Sequence, residues 1–209
     1  DKLESEQKEL LDICSRNIDR LARLISDILD FQKLQSGKAM FELKENDIND
    51  TILEVTQTMN TLLRDKNLKF STDLDLRVPK LNYDKDKIIQ VLTNIVNNAI
   101  KFTENGGIVI LSKKNGNSVI VSVKDTGIGI KKDEMQKLFV PFAQLESSNE
   151  RRRGGTGLGL SISKEIIEKH NGKMWVESGL ETGSTFCFTL PIVERRGAND
   201  KNEKNIISG

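Results

Sequence analysis

The segment 88–102 most constrains the fold, because it predicts an amphipathic helix with two chemically different faces. Asn94, Asn98 and Lys101 fall on one face, within an arc of roughly 60°. Amide oxygens suit Mg²⁺ and lysine can bind phosphate, although a solvated helix face would also tolerate these residues. A separate face is apolar and is predicted to pack against a core: Ile88, Leu92, Ile95 and Ala99.

The composition excludes several classes of function. The formal net charge of +1 provides no overall field for attracting nucleic acid or an anionic membrane, so neither partner is expected. No apolar run in the sequence approaches the roughly 20 residues that cross a bilayer. Cys14 and Cys187 lie in separate apolar patterns without CxxC spacing, so we expect two buried thiols in a reducing compartment.

Residues 3–35 predict one long helix with an unbroken heptad pattern. The pattern and its flanking row make a stripe too wide for a two-stranded coil, so we expect a four-helix bundle completed by partner helices in trans. Packing against the chain's own globular domain is the alternative. Glycine favours a helix end at Ser36-Gly37. The stripe consists of Leu10, Leu11, Cys14, Asn17, Ile18, Leu21, Leu24, Ile25, Ile28 and Phe31.

After Gly37 the sequence alternates between short strand patterns and helix patterns. Valines at every second position, from Val119 to Val123, predict a strand with one buried face. This order of elements predicts an α+β fold, and the polar segment 194–209 is expected to be a disordered tail. The predicted elements are a strand at 40–43, a helix opening near Asn49 or Asp50, a strand at 67–74, a hairpin of 106–112 and 118–124 turning at Asn115-Gly116, helices at 134–138 and 157–170, and a hairpin of 173–178 and 184–192.

The motif Asp125-x-Gly127-x-Gly129 places a carboxylate at the end of a predicted strand. Such a carboxylate can accept a hydrogen bond from an exocyclic amine, for example that of adenine. The glycines permit close approach of a flat ring or unusual φ values. An ordinary Asp-Gly turn is the alternative.

A second glycine motif, 154–160, opens a predicted helix after a long polar loop. Glycines at a helix start expose backbone N–H groups and form an anion site, although a flexible hinge is the alternative. The motif is neither a Walker A loop nor the Gly-x-Gly-x-x-Gly of a dinucleotide fold. The loop itself, 140–155, is long enough to be a mobile lid.

Four motifs follow one another in the order and spacing of a known family: Asn94-x-x-x-Asn98-Ala99-x-Lys101-Phe102-Thr103, Asp125-Thr-Gly127-Ile-Gly129-Ile130, Phe139-Val-Pro141-Phe142 and Gly155-Thr-Gly157-Leu-Gly159-Leu160. The chain resembles the catalytic ATP-binding domain of sensor histidine kinases, within the superfamily of gyrase-type and MutL-type ATPases. Residues 24–37 look like the second helix of the dimerisation and phosphotransfer hairpin. The resemblance implies a two-layer α/β sandwich at 38–193, preceded by a bundle helix at 1–37 and followed by the tail at 194–209.

The resemblance also implies roles for individual residues. Asn98 would ligate Mg²⁺, with Asn94 and Lys101 assisting the phosphates of ATP. Asp125 would bind the adenine amino group, with Thr185 assisting. Phe139 and Phe142 would anchor the base of the lid, and one of Arg151, Arg152 and Arg153 would reach the γ-phosphate. The implied nucleotide-binding set is Asn94, Asn98, Lys101, Phe102, Asp125, Gly127, Gly129, Ile130, Arg152, Gly155, Thr156, Gly157, Leu158, Gly159, Leu160 and Thr185.

The implied activity is transfer of the γ-phosphoryl group of Mg-ATP to a histidine, for relay to a response regulator aspartate. The implied protein is a cytoplasmic homodimer, and the present chain would make no membrane contact. The only histidine, His170, lies at the end of a predicted helix, where a protonated imidazole suits the helix dipole, so a structural role is expected. We therefore expect the phosphoacceptor to lie outside this fragment. The alternatives are a nucleotide-sensing scaffold or pseudokinase, and a conformational ATPase.

Overall fold

The computed structural model describes residues 5–143, 156–180 and 182–192. A long helix is followed by a compact α+β sandwich. Within the described residues, no helix combines the length and apolarity that a bilayer crossing requires. The helices are α1 (Ser5–Gln35), α2 (Ile48–Asp65), α3 (Lys85–Phe102), α4 (Lys132–Met135) and α5 (Gly159–Lys169). The strands are β1 (Lys44–Asn46), β2 (Lys69–Leu74), β3 (Leu81–Tyr83), β4 (Gly107–Asn115), β5 (Ser118–Asp125), β6 (Met174–Ser178) and β7 (Ser184–Pro191).

Five strands form one mixed sheet in the order β2-β4-β5-β7-β6. Strands β2 and β4 are parallel, and the other neighbours are antiparallel. Helices α2, α3 and α5 pack on one another and on the sheet. Strands β1 and β3 form a separate antiparallel pair. The predicted α+β sandwich is confirmed.

The core lies between the helices and the sheet, where the apolar patterns predict it. Ile88, Leu92 and Ile95 of α3 are each 0% exposed. Complete burial of one such side chain contributes about 1.5–3 kcal/mol to folding. Other apolar side chains of α3, β5 and α2 are buried as well: Ala99, Val119, Val121, Val123, Ile48, Ile52, Val55 and Met59.

The strand predicted over 40–43 is wrong, because these residues form no strand. The next segment, β1, pairs instead with β3, which the sequence patterns do not predict. Both strands have three residues, and Lys44 and Glu45 of β1 are exposed. Hydrophobic alternation cannot reveal a polar strand of this length, since there are too few apolar positions to define a period.

Helix starts are set by acidic capping residues. Helix α2 begins at Ile48, just before the predicted Asn49 or Asp50, because the Asp47 carboxylate accepts a hydrogen bond from the Asn49 N–H (2.8 Å). Asp84 caps α3 in the same way, by accepting a first-turn N–H at 3.1 Å. These bonds satisfy donors that a helix start would otherwise leave without partners.

The central turn residues of the β4–β5 hairpin are Gly116 and Asn117, one position later than the predicted Asn115-Gly116. Gly116 has a φ of 57°, which suits the first central position of a type II′ turn. The later start of β2 has a similar local reason, because Asn67 has a φ of 55° and cannot join the strand. Helices α4 and α5 also begin about two residues away from their predicted starts.

Helix α1 confirms the predicted heptad helix and its glycine end. Gly37 has a φ of 69°, and its N–H donates to the Leu34 carbonyl (3.2 Å). Most of the apolar stripe is exposed, with Ile18 at 67%, whereas Leu34 in the last turn is buried against the sandwich. Cys187 is buried as expected, but Cys14 is exposed, so the expectation of a buried thiol is wrong there. Packing on the chain's own domain therefore accounts only for the end of the stripe.

Candidate functional site

Helix α3 and the start of α5 lie side by side, and Asn94 joins them. The Asn94 side-chain N–H donates to the Gly159 carbonyl and to the Ser163 hydroxyl, both at 3.3 Å. The Ser163 hydroxyl in turn donates to the Gly159 carbonyl (2.8 Å). The amide nitrogen of Asn94 is thus used for helix packing, which leaves its carbonyl oxygen as the group that could serve a ligand.

Asn98 and Lys101 continue the same face of α3 towards its C-terminal end. The Asn98 side chain is half-buried, one turn beyond Asn94. The Lys101 ammonium lies over the Phe102 ring, 4.7 Å from its centroid, which is cation–π geometry. The Phe102 carbonyl accepts the Ile128 N–H (3.3 Å), so the end of α3 is tied to the loop after β5.

Asp125 ends β5 on the helix-facing side of the sheet and is 4% exposed. One carboxylate oxygen, Oδ1, accepts the Gly127 N–H (2.8 Å) and the Ser184 N–H (3.2 Å). No hydrogen bond within the described part of the chain uses the other oxygen, Oδ2. Burial raises the pKa of this carboxyl, and the two backbone donors partly offset that shift. The arrangement fixes the carboxylate and leaves one acceptor oxygen for a ligand.

The first glycine motif is required by the chain's own backbone. A Cβ at Gly127 would lie 2.5 Å from the Phe102 carbonyl oxygen and 2.9 Å from Asp125 Oδ1. Gly129 has a φ of 71°, and a Cβ there would collide with the Gly179 carbonyl. The unusual φ allowed for these glycines is observed at Gly129, while close approach of a flat ring stays a prediction.

The residue beside Asp125 on β7 is Ser184, not the predicted Thr185. Thr185 pairs with Lys124, and alternate residues of a strand point to opposite faces, so Thr185 lies on the other side of the sheet from Asp125. The Ser184 N–H makes the bond to the carboxylate. The sequence contains adjacent hydroxyl residues here, and only the strand register decides which of them faces the site.

Ser178 is a further residue near the site that the sequence analysis missed. Its hydroxyl donates to the Gly183 carbonyl, accepts the Ile130 N–H and lies beside the Ser184 hydroxyl, each at 2.9 Å. It links the loop after Asp125 to the β6–β7 turn. A serine has no distinguishing periodicity, so no sequence signal would have identified this role.

The start of α5 carries part of the second glycine motif. Gly157 has a φ of 72°, and its carbonyl accepts the Phe142 N–H (3.0 Å). The Thr156 hydroxyl accepts the Leu158 N–H (3.1 Å), so that donor is already used, and Leu158 is buried in the core. The first-turn N–H groups of α5, from Gly159 onwards, are the donors that a helix start presents to an anion. The predicted Arg152 and Gly155, with the rest of 144–155, lie outside the described residues.

The two lid-base phenylalanines differ in their surroundings. Phe139 is half-buried against the core, with the Lys164 ammonium 5.6 Å from its ring centroid. Phe142 is 59% exposed, and its ring meets Phe31 of α1 edge to face at 6.5 Å. Phe142 therefore links the segment after α4 to α1.

His170 is a structural residue whose imidazole is neutral. It is buried, Nε2 accepts the Asp84 N–H (3.0 Å), and Nδ1 lies 2.7 Å from the Ile166 carbonyl, so Nδ1 carries the hydrogen. Burial lowers its pKa. The expected structural role fits this geometry, but the expected protonated imidazole at the helix end does not, because a protonated Nε2 could not accept the Asp84 N–H.

Comparison with known proteins places these features in a family. Residues 83–194 match the family described as histidine kinase-, DNA gyrase B- and HSP90-like ATPase, and residues 1–37 match the His kinase A (phospho-acceptor) domain. The chain is 37% identical over 195 residues to the circadian input-output histidine kinase CikA of Synechococcus elongatus, covering 90% of this chain and 26% of CikA.

Two solved structures share the fold. Full-length ShkA in complex with AMPPNP matches with a TM-score of 0.80 at 28% identity, over 91% of this chain and 40% of ShkA. The histidine kinase ThkA, in complex with the response regulator protein TrrA, matches with a TM-score of 0.73 at 31% identity, over 92% of this chain and 53% of ThkA.

The sandwich fold and the matched segment define an ATP-binding domain of the gyrase and HSP90 type. The chain belongs to the histidine kinase-, DNA gyrase B- and HSP90-like ATPase family, and within it to the sensor histidine kinases, as their ATP-binding catalytic portion with part of the phosphoacceptor helical domain. It spans about a quarter of the length of CikA, 26%. The domain boundaries at 37 and 193 stay predictions.

Proposed function

We propose that this chain binds Mg-ATP between α3, the loop after Asp125 and the start of α5, and supplies the γ-phosphoryl group that is transferred to a histidine. The observation that carries the proposal is the Asp125 carboxylate, in which two backbone donors hold Oδ1 while Oδ2 is left for an exocyclic amine. A buried acceptor of this kind favours adenine over bases without an amine at that position.

Asn98 would ligate Mg²⁺ through its amide oxygen. One protein ligand is sufficient, because Mg²⁺ usually keeps several waters and takes its other ligands from substrate phosphates. Lys101 and the first-turn N–H groups of α5 would then bind the phosphates, with the Asn94 oxygen assisting. The buried Thr103 hydroxyl at the end of α3 has no hydrogen-bond partner among the residues that the structure describes, which fits a site that is completed by a ligand.

Bound Mg-ATP would supply the phosphoryl group, and the chain would contribute positioning and charge stabilisation. His170 cannot be the acceptor, because it is buried and both of its ring nitrogens are hydrogen-bonded. The acceptor imidazole would therefore belong to another part of the intact protein. The exposed stripe of α1 would form the bundle of a cytoplasmic homodimer, and a response regulator receiver domain would take the phosphoryl group from histidine.

Titration with a fluorescent ATP analogue tests the nucleotide site. Asp125→Asn should weaken binding by at least about tenfold, because it places an amide donor where the base presents an amine. Asp73→Asn is the matched control, since Asp73 is exposed on β2 and lies outside the site. Unchanged affinity in Asp125→Asn, with wild-type circular dichroism, would refute the adenine role.

Transfer is tested separately, by incubating the chain with labelled ATP and a separately supplied histidine-bearing helical hairpin. Label on the hairpin supports the kinase function. Tight nucleotide binding without label on any tested hairpin would favour a nucleotide-sensing scaffold instead. Nucleotide hydrolysis without transfer would favour a conformational ATPase.

A further inference from the structure

Three polar residues lie in a row across the helix-facing side of the sheet, at the end where β5 stops. Ser178 on β6 pairs with Ser184 on β7, and the Ser184 N–H donates to Asp125 at the end of β5. Cross-strand partners share a face, so the two hydroxyls and the carboxylate lie side by side. Ser184 is 6% exposed, and Asp125 is 4% exposed.

The three contacts of the Ser178 hydroxyl determine where its hydrogen points. A serine hydroxyl has one hydrogen and two lone pairs. The Gly183 carbonyl can only accept, so the single hydrogen goes there, and the Ile130 N–H donates to one lone pair. The contact with Ser184 then uses the remaining lone pair, and the Ser184 hydroxyl must donate to Ser178.

Because the Ser184 hydroxyl donates its only hydrogen to Ser178, it can only accept a hydrogen bond from a ligand at Asp125. The carboxylate beside it is also an acceptor. Resting on the proposed adenine site, we propose that Ser178 is a positioning residue that fixes the Ser184 hydroxyl and so contributes to selection of a 6-aminopurine over a 6-oxopurine. An amine can donate to these acceptors directly or through one water, whereas an exocyclic oxygen needs a donor that the fixed hydroxyl does not provide.

Ser178 also fixes the position of the loop that carries the glycines. Its bond to the Ile130 N–H connects that loop to the β6–β7 turn, where Gly129 lies against the Gly179 carbonyl. Loss of the hydroxyl would therefore weaken binding of any purine by loosening the loop. That general effect must be separated from selectivity, and a ratio of two affinities does so because it cancels losses common to both nucleotides.

The test compares ATP with inosine triphosphate, which differs only at C6 and N1 of the base. The ratio of the two dissociation constants is measured by calorimetry in the wild type, Ser178→Ala, Ser184→Ala and the double variant. Ser178→Ala should lower the ratio of the inosine triphosphate dissociation constant to the ATP dissociation constant by about threefold to tenfold. The reason is that the freed Ser184 hydroxyl can donate to the 6-oxo group. Ser184→Ala should lower the ratio too, and the double variant should match Ser184→Ala alone because the residues act through one another.

Ser118→Ala is the matched control. The Ser118 hydroxyl also donates to a backbone carbonyl, that of Asn115 (3.1 Å), but at the other end of β5. Its ratio should equal that of the wild type. A folded Ser178→Ala variant with the wild-type ratio would overturn the inference. If Ser178→Ala does not fold, Ser184→Ala decides alone, and an unchanged ratio overturns the inference.

The outcomes also separate this inference from the proposed function. If the wild type binds neither nucleotide, or if Asp125→Asn binds both as well as the wild type, the adenine site itself is refuted. If Asp125→Asn loses ATP binding while both serine variants keep the wild-type ratio, only the role of Ser178 is refuted.

Discussion

Replacing Asp84 by alanine should destabilise the chain more than removal of an ordinary helix cap. Its side chain joins two segments that are distant in sequence. Oδ1 accepts the Lys87 N–H at the start of α3 (3.1 Å), and Oδ2 accepts the Glu42 N–H of the segment that leaves α1 (2.9 Å). Asp84 is 9% exposed, so water replaces neither bond fully in the variant.

The magnitude follows from the two bonds. Loss of an N-cap carboxylate costs about 1 kcal/mol. A part-buried N–H left without an acceptor adds about 1–2 kcal/mol, which gives about 2–3 kcal/mol in total for Asp84→Ala. The Asp84 N–H bond to His170 is made by the backbone and remains in the variant.

Asp47→Ala is the matched control for this prediction. Asp47 caps α2 through a single bond to the Asn49 N–H (2.8 Å), so its loss should cost about 1 kcal/mol. Urea unfolding of both variants and the wild type, followed by circular dichroism, measures the free energies of unfolding. Equal costs for the two variants would refute the additional role of the Glu42 contact.

Three further predictions concern other positions. Gly129→Ala should destabilise the chain by about 1–3 kcal/mol more than Gly37→Ala. Both glycines have positive φ, but only Gly129 lies against a carbonyl, that of Gly179. Equal melting temperatures of the two variants would contradict this. Burial lowers the pKa of His170 below its ordinary 6.5, so the unfolded chain binds a proton first as the pH falls below 6.5, and stability should decrease. His170→Gln should lose that component of the pH dependence. The free energies of unfolding of the variant and the wild type, measured from pH 7.5 to 5, test this, and equal pH dependence in the two would contradict it. Asn98→Asp should change the Mg²⁺ concentration needed for nucleotide binding, and identical Mg²⁺ titrations would remove Asn98 as a ligand.

Long periodic patterns predicted the fold because each one encodes a buried face. Helix α3 and strand β5 carry regular apolar stripes, and the structure buries both. Strands β1 and β3 escaped prediction because a three-residue strand has no period, and its pairing depends on a partner 39 residues away along the chain, as with Lys44 and Tyr83.

The candidate site shows the same division between local and non-local information. Asp125 and its glycines form a contiguous motif, which the sequence displays directly. Ser178 joins Ser184 through the β6–β7 register, and only the β5–β7 register shows which of the adjacent hydroxyl residues 184 and 185 lies beside Asp125. The prediction therefore named Thr185, whereas the neighbour of Asp125 is Ser184, since a shift of one residue exchanges the faces of a strand.

The exposure of α1 has a different cause. Its stripe was predicted to be buried by helices in trans, whereas the structure describes a single chain, in which Cys14 and Ile18 are exposed. The sequence predicts the long helix correctly, while burial of its apolar face by partner helices stays a prediction.

The collision between a side chain at Gly129 and the Gly179 carbonyl affects how glycine-rich signatures should be interpreted in related genomes. A copy of this domain that had ceased to bind nucleotide would still lose stability without glycine there, so selection for stability would retain the glycine after the chemistry was gone. The carboxylate at position 125 is under no such steric demand. Among copies of this domain, loss of the carboxylate would therefore indicate that nucleotide binding has been lost. Retained glycines would indicate only that the fold has been kept.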